Sequence, residues 1–219
     1  LKETGAFDVG GPMIAKGKTF LTEAIAAAFH SAFALGGGKD HDETYTGYAD
    51  TVFLGAYRRQ EILDLGLYDE RFSRTEDDEL CLRATKNGKI YITTDIKSTY
   101  YPKESIRRLS KQYFDYGLMK PCILKKHKRP ARLSHLVPAM FVLYLLFGAV
   151  LSVVFPPAAW LYGAIFALYV LLDAYFSFTN SHIHKFSQKL LLMVIHFVIH
   201  VSYGTGFIIG FFRFYLGNS

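Results

Sequence analysis

The sequence predicts two structural classes in series: a soluble α/β part to about residue 132, then an all-α membrane region of three helices. Three observations carry this. The 219 residues are 51% hydrophobic and 16% aromatic overall, yet charged and apolar residues mix up to residue 132, and Leu, Phe, Val, Ile, Ala and Tyr dominate from Leu133 onward. Three stretches, 136–155, 158–178 and 190–212, approach the roughly 20 apolar residues that a membrane helix needs. The net charge of +6 is also uneven: Lys103 through Arg132 hold ten Lys or Arg against Glu104 and Asp115, which is +8 there and leaves −2 elsewhere.

The soluble part alternates short strands and helices. Phe7-Asp8-Val9-Gly10-Gly11-Pro12-Met13-Ile14 reads as a strand interrupted by paired glycines. Residues 19–33 are alanine-rich with apolar residues at helical spacing, and Gly36-Gly37-Gly38 ends that helix in a loop. Residues 51–57 form a strand by composition, and 58–65 a helix stopped by Gly66. Thr75 caps a helix reaching about Asn87, whose first turn is Glu76-Asp77-Asp78-Glu79 and whose stop is Gly88. Residues 89–94 and 98–101 are short strands.

The next segment, 106–132, is a basic amphipathic helix and linker. Ile106, Leu109, Tyr113 and Gly117 share one face, while Arg107, Arg108, Lys111 and Asp115 share another, a pattern suited to the membrane interface. Basic residues beside a membrane stretch mark the cytoplasmic side and favour anionic lipid over nucleic acid as a partner. On that rule the first span leaves the cytosol, the second returns after Pro156-Pro157, and the third exits again. Cys81 and Cys122 then lie where thiols stay reduced, and their spacing suits no metal site. The chain opens on Leu1-Lys2-Glu3-Thr4, which reads as mid-domain sequence, so a preceding N-terminal portion is expected.

Two readings of Thr75–Asp78 stand side by side. Acids at a helix start suit the helix dipole and need no further role; the same acids, followed by a basic interfacial helix and membrane spans, fit an enzyme acting on a charged, membrane-bound substrate. In the spans, Asp173, His196 and His200 stand out because ionisable groups there are expensive. Asp173 and His196 fall at similar depth and are expected to pair. Gly206 and Gly210 form a small-residue seam for helix packing.

The chain resembles glycosyltransferase family 2, in particular membrane-bound exopolysaccharide glycosyltransferases of the succinoglycan type. Val9-Gly10-Gly11 and Asp50-Thr51-Val52-Phe53-Leu54-Gly55-Ala56-Tyr57-Arg58-Arg59 resemble the acceptor-side half of the GT-A catalytic domain. Gly66-Leu67-Tyr68-Asp69-Glu70-Arg71-Phe72, followed by Glu76-Asp77-Asp78-Glu79-Leu80 and Arg83, is similar to the family's Glu-Asp motif. Tyr100-Tyr101-Pro102-Lys103 and Gln112-Tyr113-Phe114-Asp115-Tyr116-Gly117 continue the match in order. Against the family's Gln-x-x-Arg-Trp, Gln112 matches, but Asp115 and Tyr116 stand where Arg and Trp are expected.

The resemblance implies an inverting transfer of sugar from a nucleotide-sugar to a polyprenyl-diphosphate-linked glycan, in exopolysaccharide or other surface-polysaccharide synthesis. Asp77 would be the general base and Glu76 its neighbour, with Asp78 and Glu79 solvated or structural. Asp50, Arg83, Gln112 and Tyr116 would contact the acceptor, and Lys103, Arg108 and Lys111, or Lys120, phosphate or lipid headgroups. The implied organisation is residues 1–105 as the acceptor-side half of a GT-A domain, 106–132 as interfacial helix and linker, and 133–219 as the transmembrane domain. The implied location is the plasma (inner) membrane, multi-pass, with the catalytic part cytoplasmic and possible partners in a polysaccharide assembly system. A divalent metal, Mg2+ or Mn2+, is expected through a motif in the preceding portion. Asp40-His41-Asp42 has the letters of that motif but follows a glycine loop instead of an apolar strand, so no metal ligand is assigned here. The alternatives are a processive polysaccharide synthase and a non-catalytic, membrane-anchored glycan-binding scaffold.

Overall fold

The computed structural model describes residues 1–72, 74–128 and 132–216. They form two compact units, residues 1–16 with 37–101, and residues 17–36 with those from 102 onward.

The first unit is built on strand β1 (Asp8–Gly11). It pairs parallel with β5 (Ile90–Ile92) on one side and antiparallel with β4 (Phe53–Tyr57) on the other, and β3 (Gly47–Ala49) lies antiparallel beyond β5. The β1–β4 register slips between Val9 and Gly11, where the sequence places its paired glycines. The reason is close approach: a Cβ on Gly10 would sit 2.6 Å from Val52 Cγ2, and one on Gly11 would run into the Ile96 carbonyl. Beyond the slip the chain continues as β2 (Met13–Ala15), paired parallel with β6 (Ser98–Tyr100). Helix α3 (Arg59–Asp64) follows β4, and α4 (Glu76–Asn87) precedes β5. Helix α4 buries Leu80, Cys81 and Ala84, positions on one helical face, and Cys81 packs with Val52, Ile90 and Ile92. Strand β3 carries no sequence signal because three residues that include a glycine show no alternation.

The second unit is helical: α1 (Phe20–Phe29), α2 (Ala32–Leu35), α5 (Ile106–His127), α6 (Val137–Val154), α7 (Ala158–Thr179) and α8 (Phe186–Phe211). The helix expected over 19–33 breaks at His30 and Ser31 into α1 and α2. Thr19 caps α1 in a capping box with Thr22, and Gly36, at φ 72°, closes α2. Both helices pack in this unit, whereas the sequence reading grouped 1–105 together. The alanines of α1 bring its buried face, Ala24 to Phe29, close to α8, whose Leu192, Ile195 and Ile199 are buried.

Among the described residues, three helices are long and apolar enough to cross a membrane: Leu133–Val154, Ala158–Thr179 and Phe186–Tyr215. This makes the chain a membrane protein, with an α/β unit followed by apolar helices as the sequence predicts. The expected pair forms: His196 Nδ1 lies 2.6 Å from Asp173 Oδ1, and Ser177 Oγ donates to the same carboxylate. Burying a carboxylate beside an imidazole and a hydroxyl satisfies groups that would otherwise be unpaired in an apolar bundle.

Candidate active site

Helix α4 presents its acids in different environments, because successive residues turn through about 100° along the helix. Asp77 is exposed, and its Oδ1 accepts from the Asp78 amide at 2.8 Å, satisfying one first-turn donor. Thr75 holds the N-cap position, yet its side chain makes no capping bond and its hydroxyl is buried. The expected Thr75 cap is therefore positional only. Glu76 is half-buried, with Oε2 enclosed and unbonded. Glu79 points inward, fully buried, and forms a 2.9 Å ion pair with Arg83 one turn on.

Arg83 does more than neutralise Glu79. Its two terminal nitrogens donate to the carbonyls of Leu65 and Leu67. Those carbonyls belong to a turn with positive φ at Gly66 (91°) and Leu67 (59°), a conformation that leucine adopts only when held. The fork of Arg83 thus ties α4 to the loop Gly66–Phe72, where Arg71 pairs with Asp69 at 2.6 Å and Phe72 is buried. Through these contacts Arg83 fixes the helix carrying Asp77 relative to its loop. Asp50 lies exposed between β3 and β4.

Sequence reasoning missed Asp8. Its side chain is fully buried on β1, opposite Tyr57, and a Cβ at Gly55 would run into its carboxylate. Burial pushes its pKa up from 3.8 to about 7; the Tyr57 hydroxyl and the Val9 and Ala56 amides pull it down by less. Neither oxygen has a partner in full hydrogen-bond geometry. The Cys81 thiol is pushed up to about 12, first by burial, then by the charges of Asp8, Asp78 and Asp77. The available signal was a charged residue inside Ala6-Phe7-Asp8-Val9, an otherwise apolar strand.

The remaining assigned residues belong to the helical unit. Lys103 and Arg108 are exposed at the start of α5, where the Ser105 hydroxyl caps the Arg108 amide. Lys111 pairs with Asp115 at 2.9 Å, and Gln112 Nε2 donates to the Tyr116 hydroxyl at 2.9 Å. Both are bonds between neighbours one turn apart on a helix. Asp115, standing where the family has Arg, is thus matched by a cation from its own helix.

Asp40 and Asp42 lie in and just after a short 3-10 turn, Lys39–His41. Asp42 Oδ1 accepts from both the amide and the hydroxyl of Thr44, which hold its pKa below the usual range, while Asp40 lies 3.3 Å from His41. They follow no apolar strand.

Two curated proteins of glycan biosynthesis are similar to the chain. One is the succinoglycan biosynthesis protein ExoA of Rhizobium meliloti (strain 1021), 32% identical over 152 residues, 69% of this chain and 46% of ExoA. The other is a dolichyl N-acetyl-alpha-D-glucosaminyl phosphate 3-beta-D-2,3-diacetamido-2,3-dideoxy-beta-D-glucuronosyltransferase of Methanococcus voltae. It is 30% identical over 120 residues, 54% of this chain and 37% of that protein. The matched segment spans less than half of either relative. No family model and no solved structure matches the chain. The succinoglycan-type resemblance read from the sequence agrees with ExoA, and the glycosyltransferase resemblance with the Methanococcus voltae protein.

Proposed function

We propose that the chain is the acceptor-side part of a membrane-bound, inverting family-2 glycosyltransferase, kin to the two glycan-biosynthesis proteins. It moves a sugar from a nucleotide-sugar to a polyprenyl-diphosphate-linked glycan during exopolysaccharide or other surface-polysaccharide synthesis. The observation that carries this reading is Asp77: an exposed carboxylate at the start of a helix that the Glu79–Arg83 pair holds rigidly.

Inverting transfer is one displacement. The acceptor hydroxyl oxygen bonds to the anomeric carbon as the bond from that carbon to the nucleotide phosphate oxygen breaks. The hydroxyl proton goes to Asp77, and the nucleoside diphosphate leaves as an anion. A leaving group that departs charged needs no protonation, so one carboxylate suffices where a glycoside hydrolase uses two. Glu76 orients the acceptor beside the base. Lys103 and Arg108 supply positive charge for lipid headgroups or the acceptor diphosphate. Gln112 and Tyr116, bonded to each other, offer a polar group and an aromatic face for a sugar ring. The concentration of Lys and Arg in 103–132 supports a cytoplasmic catalytic part at a plasma (inner) membrane.

The test uses the full-length protein in membranes, with a panel of labelled nucleotide-sugars and lipid-linked acceptors. Asp77→Asn should lower transfer by about 10²–10⁴-fold, the usual contribution of a positioned general base, with donor binding retained. Transfer at the wild-type rate by the variant would reduce Asp77 to a helix-start acid.

A further inference from the structure

Length and composition admit α8 as a third membrane span, but its neighbours do not. Half of its apolar window is buried inside the unit, against 11% in each of the other two. What buries it is polar at both ends. Near the N-terminal end, Gln188 donates to Glu23 Oε2 at 2.7 Å and to the Phe20 carbonyl of α1. Along the C-terminal half, α5 runs beside α8 in the same direction. Ser110 bonds Ser202 at 2.8 Å, Phe114 and Leu118 meet Gly206, Leu118 meets Gly210, and Lys125 donates to the Phe214 carbonyl.

Helix α5 cannot share the hydrocarbon with α8. Arg107, Arg108 and Lys111 are exposed at one end and Lys125 and Lys126 at the other, with Asp115 and Lys120 between them. Asp115 and Lys120 interrupt the segment between Lys111 and Lys125, so no apolar stretch of α5 approaches the roughly 20 residues a crossing needs. On α8, the segment between the Gln188–Glu23 and Ser110–Ser202 bonds, Lys189 to Val201, is about 20 Å long, short of a hydrocarbon core of about 30 Å. That run also holds His196 and His200, bonded to Asp173, Tyr169 and the Phe33 carbonyl.

Phe186, Leu190, Val194 and Phe197 are exposed at helical spacing along the first half of α8, and Ile209, Phe211, Phe212 and Tyr215 are exposed at and just beyond its end. A one-sided apolar stripe flanked by cations fits a leaflet of anionic lipid, with acyl chains on the stripe and headgroups on the Lys and Arg of α5. The antiparallel α6–α7 pair differs. Phe141 stacks on Tyr169 at 4.3 Å, and apolar side chains from Leu146 through Trp160 to Leu172 are exposed with no charge among them.

We propose that α8 does not cross the bilayer but lies in its interface beside α5, its apolar stripe against the acyl chains, so that only the α6–α7 hairpin enters the hydrocarbon and the C-terminal end stays on the α5 side. The third exit expected from hydropathy is thereby replaced by an in-plane platform. This inference stands independently of the proposed reaction.

Single cysteines decide it, in the full chain carrying Cys81→Ser and Cys122→Ser. Glu104→Cys reports the α5 side, Ser187→Cys the start of α8 and Tyr215→Cys its end. Membrane vesicles of both orientations are treated with an impermeant maleimide. All three positions should label in one orientation and lose labelling in the other. Labelling of Tyr215→Cys from the face opposite Glu104→Cys overturns the proposal. Should lipid shield Tyr215→Cys on both faces, protease cleavage of a tag after Ser219 reads the same alternatives: cleavage from the Glu104 face supports the platform, and cleavage from the other face refutes it.

Discussion

Single residues carry most of the chemistry, and their neighbours sort them. Glu76, Asp77, Asp78 and Glu79 are four acids in a row, yet Asp77 is exposed while Glu79 is locked inside by Arg83. Asp8 is the opposite case: a buried carboxyl whose pKa is raised to about 7. Its unfolded form ionises near the ordinary 3.8, so the fold binds the extra proton between those values. Stability from this group is complete below about pH 4 and is lost as pH rises to about 7, a span on the order of 4 kcal/mol. Asp8→Asn should therefore gain on wild type as pH rises, melting higher at pH 8 and little differently at pH 4. Melting in detergent at several pH values checks this, and parallel curves for the two proteins would refute it.

Elements meet where side chains permit. The α5–α8 contact depends on Gly117, Gly206 and Gly210, where an added Cβ would strike the carbonyls of Tyr203, Phe114 and Leu118. The glycine seam that the sequence offers for association is used within the chain, between a basic helix and an apolar one. Gly206→Leu should cost about 1–3 kcal/mol or more, since a large side chain must force two backbones apart. Thermal stability in detergent should fall, and Gly206→Ala should fall less. An unchanged melting temperature for the leucine variant would mean that the helices separate without loss.

At the scale of the molecule, α1, α2 and α5 depend on α8. Their buried residues, including Ile25, Phe29, Leu109 and Tyr113, lie in the unit centred on that helix. A chain ended at Lys128 would expose these faces as one large apolar patch. It should aggregate or remain with membranes instead of yielding a soluble monomer, as centrifugation and gel filtration would reveal. A soluble, monomeric product would show that these helices stand without α8.

Much of this was legible beforehand. Periodicity and punctuation located the α/β elements within a few residues, because Gly10-Gly11, Gly66 and Gly88 mark real breaks in strand or helix. The Asp173–His196 pair was visible as an acid and an imidazole in unusual company. Local sequence also determined that three helices are apolar enough to cross a membrane. It did not reveal strand β3, the buried state of Asp8, or Arg83 as a brace, since each depends on residues brought near from elsewhere in the chain. Nor did it show what lies beside α8. Hydropathy sums one helix at a time, whereas the depth of a helix depends also on the charges of the neighbours packed along it, and only the tertiary structure sets α5 there.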